Sequence, residues 1–256
     1  MRIATWNVNS LTARLPRVEE WIAYAQPDVL CMQETKQADS SFPQESFASW
    51  GYETAHHGDG RWNGVAIASR VGLSEVATGM DSSDDAQGTR LIAADCGGVR
   101  VHSVYVPNGR SLDSEHFAAK LEWLAGLRSL LERTTAPDRP VAVCGDFNVA
   151  PDDRDVWDPS RFVGMTHVSP PERDALAHLQ SWGLVDVFRR LYDEDHLFTW
   201  WDYRAGSFHK HQGMRIDLIL VTEVLAERTS YALIDRNARK GQKPSDHTPV
   251  FIDVDA

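Results

Sequence analysis

The sequence predicts one α/β domain spanning residues 1–256. Short β-branched runs recur along the chain, helical apolar periodicity falls between them, and no Gly/Ser-rich or Pro-rich linker or short-period repeat divides it. The strand-like runs are 3–6, 28–32, 65–68, 91–94, 101–106, 141–144, 216–221 and 250–254, each a short stretch rich in Val, Ile, Leu or Ala. Helical periodicity marks 15–24, then 114–131, where Phe117, Leu121, Leu124 and Leu127 or Arg128 share a face, and then 172–182. Two long polar segments remain, 152–171, rich in Asp, Pro and Arg, and 202–213, with two glycines. Loops of that length inside a compact domain are commonly functional or disordered.

A hydrophobic content of 42% over this length suffices for a large core. No apolar stretch approaches the roughly 18 residues of a membrane span, and the opening residues run straight into a strand rather than a signal peptide. The expectation is a soluble, unprocessed, cytoplasmic protein, and a monomer, since no long apolar helix stripe asks for a partner. Cys31, Cys96 and Cys144 lie singly inside apolar runs and read as small core residues. The net charge of −11 excludes nucleic-acid binding by bulk charge. Local basic runs persist: Arg204, Lys210 and Arg215 in one stretch, Arg236, Arg239, Lys240 and Lys243 in another. They read either as a basic rim on an acidic body or as solvated loop charge.

Polar residues collect where strands end: Asn7, then Gln33 and Glu34, then Pro107 and Asn108, then Gly145, Asp146 and Asn148. Strand ends are where α/β proteins assemble sites, because a rigid sheet positions the adjoining loops. Carboxylates and carboxamides without clustered cysteines point to a hard cation such as Mg²⁺ or Mn²⁺ rather than zinc. Glu34 reads as a metal ligand or as a solvated helix-start glutamate. Asp146 and Asn148, in Gly145-Asp-Phe-Asn, read as site residues brought close by a glycine or as an Asx-type turn. His247 follows Ser245-Asp246, and Asp217 sits in Arg215-Ile-Asp-Leu; an aspartate orienting an imidazole makes a competent acid/base or electrostatic group. No GxSxG is present and no cysteine has a nearby histidine, which leaves water as the attacking group.

The ordered set Ala4-Thr-Trp-Asn-Val-Asn-Ser, Gln33-Glu-Thr-Lys, Asn63-Gly-Val-Ala-Ile, Tyr105-Val-Pro-Asn-Gly, Gly145-Asp-Phe-Asn-Val-Ala, Thr199-Trp-Trp-Asp-Tyr-Arg, Met214-Arg-Ile-Asp-Leu-Ile-Leu and Ser245-Asp-His-Thr-Pro-Val resembles the exonuclease III family of AP endonucleases, within the endonuclease/exonuclease/phosphatase superfamily. The resemblance covers nearly the whole chain. It implies a four-layered α/β sandwich, two central mostly antiparallel sheets flanked by helices, with the site at one edge.

The resemblance also implies roles. Glu34 would bind Mg²⁺, for which Mn²⁺ could substitute, with Asn7 beside it and Asp246 available to the same or a second ion; Asp146, Asn148 and His247 complete the implied metal set. Asp146 would position or deprotonate the water, Asn148 would hold a phosphate oxygen, and His247, oriented by Asp217, would stabilise the phosphorane. Tyr105 and Asn108 would contact the phosphate. Trp200, Met214 and Ile216 match positions that line a small apolar pocket for a flipped abasic sugar, or are simply core. Arg110, Arg204 and Lys210 would hold the flanking backbone.

The implied partner is double-stranded DNA with abasic sites or blocked 3′ ends. The implied activity is incision 5′ of abasic sites together with 3′–5′ exonuclease and 3′-phosphatase action. Two other functions share parts of this pattern: a superfamily phosphatase or phospholipase acting on inositol phosphates or lipids, and a non-catalytic DNA-binding protein. Met214 stands where some relatives carry Trp or Leu, which changes the pocket wall. Asp152, Asp153, Asp155 and Asp158 are unexpected in a segment facing DNA.

Overall fold

The computed structural model describes residues 1–80 and 88–255. The strands are β1 (Arg2–Asn7), β2 (Val29–Gln33), β3 (Glu53–His57), β4 (Val65–Ser69), β5 (Ser74–Thr78), β6 (Leu91–Cys96), β7 (Val99–Tyr105), β8 (Val141–Asp146), β9 (Leu184–Asp186), β10 (Asp217–Thr222), β11 (Thr229–Ile234) and β12 (Val250–Val254). The helices are α1 (Leu11–Ala25), α2 (Gln44–Ser49), α3 (Glu115–Thr134), α4 (Pro170–Gln180), α5 (Val187–Leu191) and α6 (Glu223–Ala226).

Two six-stranded sheets form, ordered β11-β12-β1-β2-β4-β3 and β5-β6-β7-β8-β10-β9. Their pairing repeats the same pattern. Each has one central parallel pair, β1 with β2 and β7 with β8, flanked on both sides by antiparallel neighbours. Parallel neighbours need a crossover, and the long helices α1 and α3 supply it. The sheets pack face to face over a core that includes Ile3, Val29, Ile67, Ile92, Ile219 and Ile252. A second cluster joins the outer face of one sheet to α3 and α4 through Val104, Val143, Leu124, Leu127 and Leu176. A third joins the other sheet to α1 and α2 through Ala4, Leu30, Val18, Ile22 and Phe47. Helix, sheet, sheet and helix make the four layers expected.

All eight strands read from the sequence are the interior strands. The four that the sequence does not announce, β3, β5, β9 and β11, are the four sheet edges. An edge strand has one side in water and no need of an unbroken apolar run, and β5 is exposed throughout. The three predicted helices form with shifted ends. Ser114 caps α3 by accepting from the Phe117 N–H, and Ser169 with Glu172 forms a capping box that starts α4 two residues early, at Pro170. The buried face of α3 also differs from expectation. It runs through Phe117, Lys120, Leu124 and Leu127, while Leu121 is half-exposed, because Lys120 has a buried partner, Glu172, on α4.

Cys31, Cys96 and Cys144 are free and buried between the sheets, as expected of core cysteines. Between the sheets the Gln33 amide donates to Ser103 at 3.1 Å and accepts from Thr5 at 3.2 Å, tying β2 to β7 and β1 just below the strand ends that carry the polar residues. Among the described residues, no helix is long and apolar enough to cross a membrane.

Candidate active site at the ends of the central strands

The two parallel pairs deliver their C-terminal ends to one edge of the sandwich. Asn7 ends β1, Glu34 follows β2, Tyr105 ends β7 and Asp146 ends β8. The antiparallel neighbours supply their first residues: Asp217 opens β10 opposite Asp146, and His247 lies just before β12. Gly145 permits the tight approach of β7 and β8, since a Cβ there would overlap the Val104 carbonyl oxygen.

The Asn7 amide is the hinge of this group. Its Nδ2 donates to Glu34 Oε1 and to Asp146 Oδ2, both at 2.9 Å, so one buried carboxamide spans carboxylates from the two sheets. Glu34 is therefore no solvated helix-start residue. Burial disfavours its charge, but Lys36 at 2.8 Å and the Asn7 amide outweigh that and hold the carboxyl below its usual range. Asp146 is pushed the other way, up to about 7, by burial and by the nearby Asp217 and Glu34 carboxylates, with His247 and Asn7 opposing.

His247 Nδ1 lies 2.8 Å from Asp217 Oδ2, and Nε2 faces Asp146 Oδ2 at 3.8 Å. Burial alone would neutralise the imidazole, yet Asp217 and Asp146 raise its pKa to about 10, leaving it a charged donor at neutral pH. Burial and the Glu34 and Asp146 charges push the Tyr105 hydroxyl well above its ordinary range, so it too remains a protonated donor, with Arg90 stacked on its ring.

Asn148 forms the Asx turn that was one of its two readings: its N–H donates to Asp146 Oδ1 at 2.9 Å, and that turn sets it beside Asp146. Its carboxamide is engaged by the Val106 carbonyl at 3.0 Å and by Asn108 Nδ2 at 3.2 Å. Asp246 stands apart, with Oδ1 accepting from Asn9 and Oδ2 from the Trp200 indole.

Among the described residues, one group of ligand atoms could hold a metal ion: Glu34, Asp146 and His247, whose donor atoms lie within 4.8 Å of one another. The two carboxylates, with no thiolate nearby, suit a hard cation, and His247, held protonated by Asp217 and Asp146, would stand beside it as a donor rather than a ligand. Asp217 Oδ1, buried and without a hydrogen-bond partner among the described residues, adds to the local excess of negative charge that a cation would balance.

The remaining expected residues are distributed unevenly. Met214 and Ile216 are only 1% and 3% exposed, in a small cluster with Ala150, Val156 and the half-exposed Trp200, so they pack as core rather than as an open pocket wall. Arg110 and Lys210 are exposed, and exposed Arg204 pairs with Asp202 at 2.6 Å. Arg215 does not belong to a basic rim. It is 1% exposed and bonds Asp155 at 2.7 Å and Asp186 at 2.8 Å, with Arg189 joining the same Asp155. The acidic loop is explained by the same contacts: Asp155 faces inward, Asp153 pairs with Arg173, and Asp158 caps the turn at Pro159–Phe162.

Sequence reasoning missed the support behind Asn148. Lys120 Nζ donates to the Asn148 carbonyl at 2.7 Å and to Glu172, and His167 Nδ1 sits 2.5 Å from the same carbonyl. Burial, aided by Lys120, holds His167 neutral with a pKa of about 4. The lysine inside an otherwise apolar helix stripe was the available signal; His167, in an irregular loop, offered none.

This arrangement has close counterparts. Exodeoxyribonuclease III of Haemophilus influenzae is 35% identical over 265 residues, covering 99% of both chains. An AP endonuclease structure from Archaeoglobus fulgidus superposes with a TM-score of 0.96 at 38% identity over the full length of both chains. The 3′ phosphatase NExo from Neisseria, solved with a product DNA hairpin, gives the same TM-score, identity and coverage. The model of the endonuclease/exonuclease/phosphatase family matches residues 4–247, a span that takes in every strand-end residue described above from Asn7 to His247, and it is to this family that the chain belongs.

Proposed function

We propose that the chain is a Mg²⁺-dependent phosphoester hydrolase of DNA, incising 5′ of abasic sites and removing nucleotides and phosphates from 3′ ends. The observation that carries this reading is the Asn7 amide bridging Glu34 and Asp146 beside the His247–Asp217 pair. Glu34, with Asp146, would hold the ion, and the ion, when bound, supplies cationic screening of an anionic phosphate.

The chain's own groups account for the proton and charge movements. Asp146, buried beside His247 and fixed by the Asn7 amide, is suited to take a proton from the attacking water. Charged His247, fixed by Asp217, is a proton-bearing donor to the developing phosphorane oxygens, and Tyr105, kept protonated, offers a second hydroxyl donor. Asn108 and Asn148, locked to each other and braced by Lys120, supply a pre-oriented polar wall for the phosphate. Exposed Arg110 and Lys210 are placed to meet the flanking backbone.

A second reading, that 3′-end processing outweighs abasic incision, is favoured by the burial of Met214 and Ile216. Incision within a duplex requires room for an extruded sugar, whereas a 3′-terminal phosphate needs no such pocket. The experiment compares labelled duplexes carrying an abasic-site analogue, a 3′-phosphate or no lesion, in Mg²⁺ and in EDTA, with wild type and Asp146→Ala. Metal-dependent incision 5′ of the analogue supports the first reading; phosphate release without incision supports the second. Cleavage of none, with turnover of inositol phosphates, would reject both.

A further inference from the structure

Arg239 is 6% exposed, yet its side chain has no hydrogen bond or ion pair among the described residues, and its Nε is buried without a partner. Buried arginines are ordinarily paired, because an uncompensated charge out of water is costly. Its direct contacts among the described residues are aromatic. The guanidinium lies 4.9 Å from the Phe208 ring centre and 5.4 Å from that of Tyr203.

Its neighbours add positive charge. Arg236 stacks on Phe208 at 4.3 Å, and Arg14 bonds the Tyr203 hydroxyl at 2.7 Å. Burial lowers the Arg239 pKa, Tyr203 and Asp246 oppose it, and the two neighbouring cations add to the lowering. A guanidinium in such surroundings lacks an anion.

The guanidinium opens on a cavity of about 320 Å³ lined by Tyr203, Ser207, Phe208, His209, Arg239 and Lys240. The one carboxylate on its wall, Asp202, is taken by Arg204. The cavity also adjoins the catalytic edge. Tyr203 donates to the Pro244 carbonyl at 2.9 Å, Pro244 lies two residues before Asp246, and the Trp201 N–H bonds the Asp246 carbonyl at 3.0 Å.

We propose that Arg239, with Lys240, forms a phosphate-binding subsite separate from the hydrolytic centre, engaging a backbone phosphate of the DNA strand that runs past residues 244–246. The planar fork of an arginine matches two phosphate oxygens, and the aromatic walls hold that fork in a fixed plane. A contact of this kind sets register without reading sequence. The inference rests on the DNA reading above, and free phosphate would satisfy the same chemistry.

The test compares wild type, Arg239→Gln and Lys240→Gln on a 3′-phosphorylated duplex in Mg²⁺, over a salt series, and separately measures the thermal shift given by inorganic phosphate. Lys240 is exposed, so its variant folds even if the buried substitution does not. Each variant is expected to raise KM by about 5–10-fold with kcat changed less than about twofold, and to reduce the slope of log K against log salt by about 1. Wild-type KM and slope in both variants would overturn the subsite. If wild type cleaves no DNA in any arm, the functional reading fails on its own, and a phosphate-induced shift lost in Arg239→Gln supports the anion site independently. A shift retained in both variants would overturn it.

Discussion

His247 keeps its proton inside a buried ring of carboxylates, and the pair it makes with Asp217 is the most directly testable contact in the molecule. Asp217→Asn removes the charge that holds the imidazolium while keeping the shape. It is expected to lower kcat by about 10²–10³, the usual cost of losing one oriented donor, with KM little changed; steady-state kinetics on a 3′-phosphorylated duplex would check it. His102 on β7 is the opposite case: it is fully buried, neither ring nitrogen has a partner among the described residues, and burial with Arg100 lowers its pKa to about 3. The unfolded chain therefore binds a proton that the native state refuses between about pH 6.5 and 3. Stability is full above 6.5 and falls as pH drops, at up to about 1.4 kcal/mol per unit. Urea denaturation of His102→Leu across that range should show a limb shallower by one proton, with His167 accounting for part of the remainder. At this scale Asn7, Glu34, Asp146, Asp217 and His247 were legible because their chemistry is tied to short sequence patterns. Arg215 and Arg239 were read as rim or as solvated loop charge and are neither, because nothing local in a polar stretch reports that a guanidinium is buried.

Elements divide by their place in the sheets. Interior strands are buried on both faces and write continuous apolar runs into the sequence, while β3, β5, β9 and β11 lie at the edges and leave almost no trace. The 152–171 segment read as an irregular acidic loop, and its anchoring could not be inferred because the partners are distant in sequence: Asp155 reaches Arg189 on α5 and Arg215 at the entrance to β10. Asp155→Ala removes the carboxylate that Arg189 and Arg215 share, leaving Arg215 to Asp186 alone, and should cost about 3 kcal/mol, seen as a lower urea midpoint. Double replacement of Asp155 and Arg215 by apolar residues of similar volume should recover part of that loss, and no recovery would show that the ion pair is not what holds the loop. Lys120 and Glu172 make the equivalent buried link between α3 and α4, directly behind Asn148. Lys120→Met should lower stability and activity together, since it removes both the pair and the brace.

For the molecule as a whole, the two-sheet plan was legible through the motif order, and the repeated pairing pattern was not, since strand order and direction depend on partners distant in sequence, such as β1 with β12. The acidic excess has a local focus: internal pairs such as Asp155–Arg189 cancel one for one, while Glu34, Asp146 and Asp217 gather at the strand ends with His247 and Lys36 to offset them. Mg²⁺ is expected to raise Tm in wild type and to do so much less in Glu34→Gln, and scanning calorimetry with and without EDTA separates that loss from any general destabilisation.

The register Arg2↔Asp253 places the first and last strands side by side at the centre of one sheet. During synthesis β1 must therefore wait for β12, with most of the chain already made, before its open side is covered. His247 reaches Asp217 only at that point. A chain truncated before residue 250 lacks β12, leaves one side of β1 unpaired and loses the strand that seats His247 beside Asp217, so it is expected to fold poorly and to show no hydrolysis.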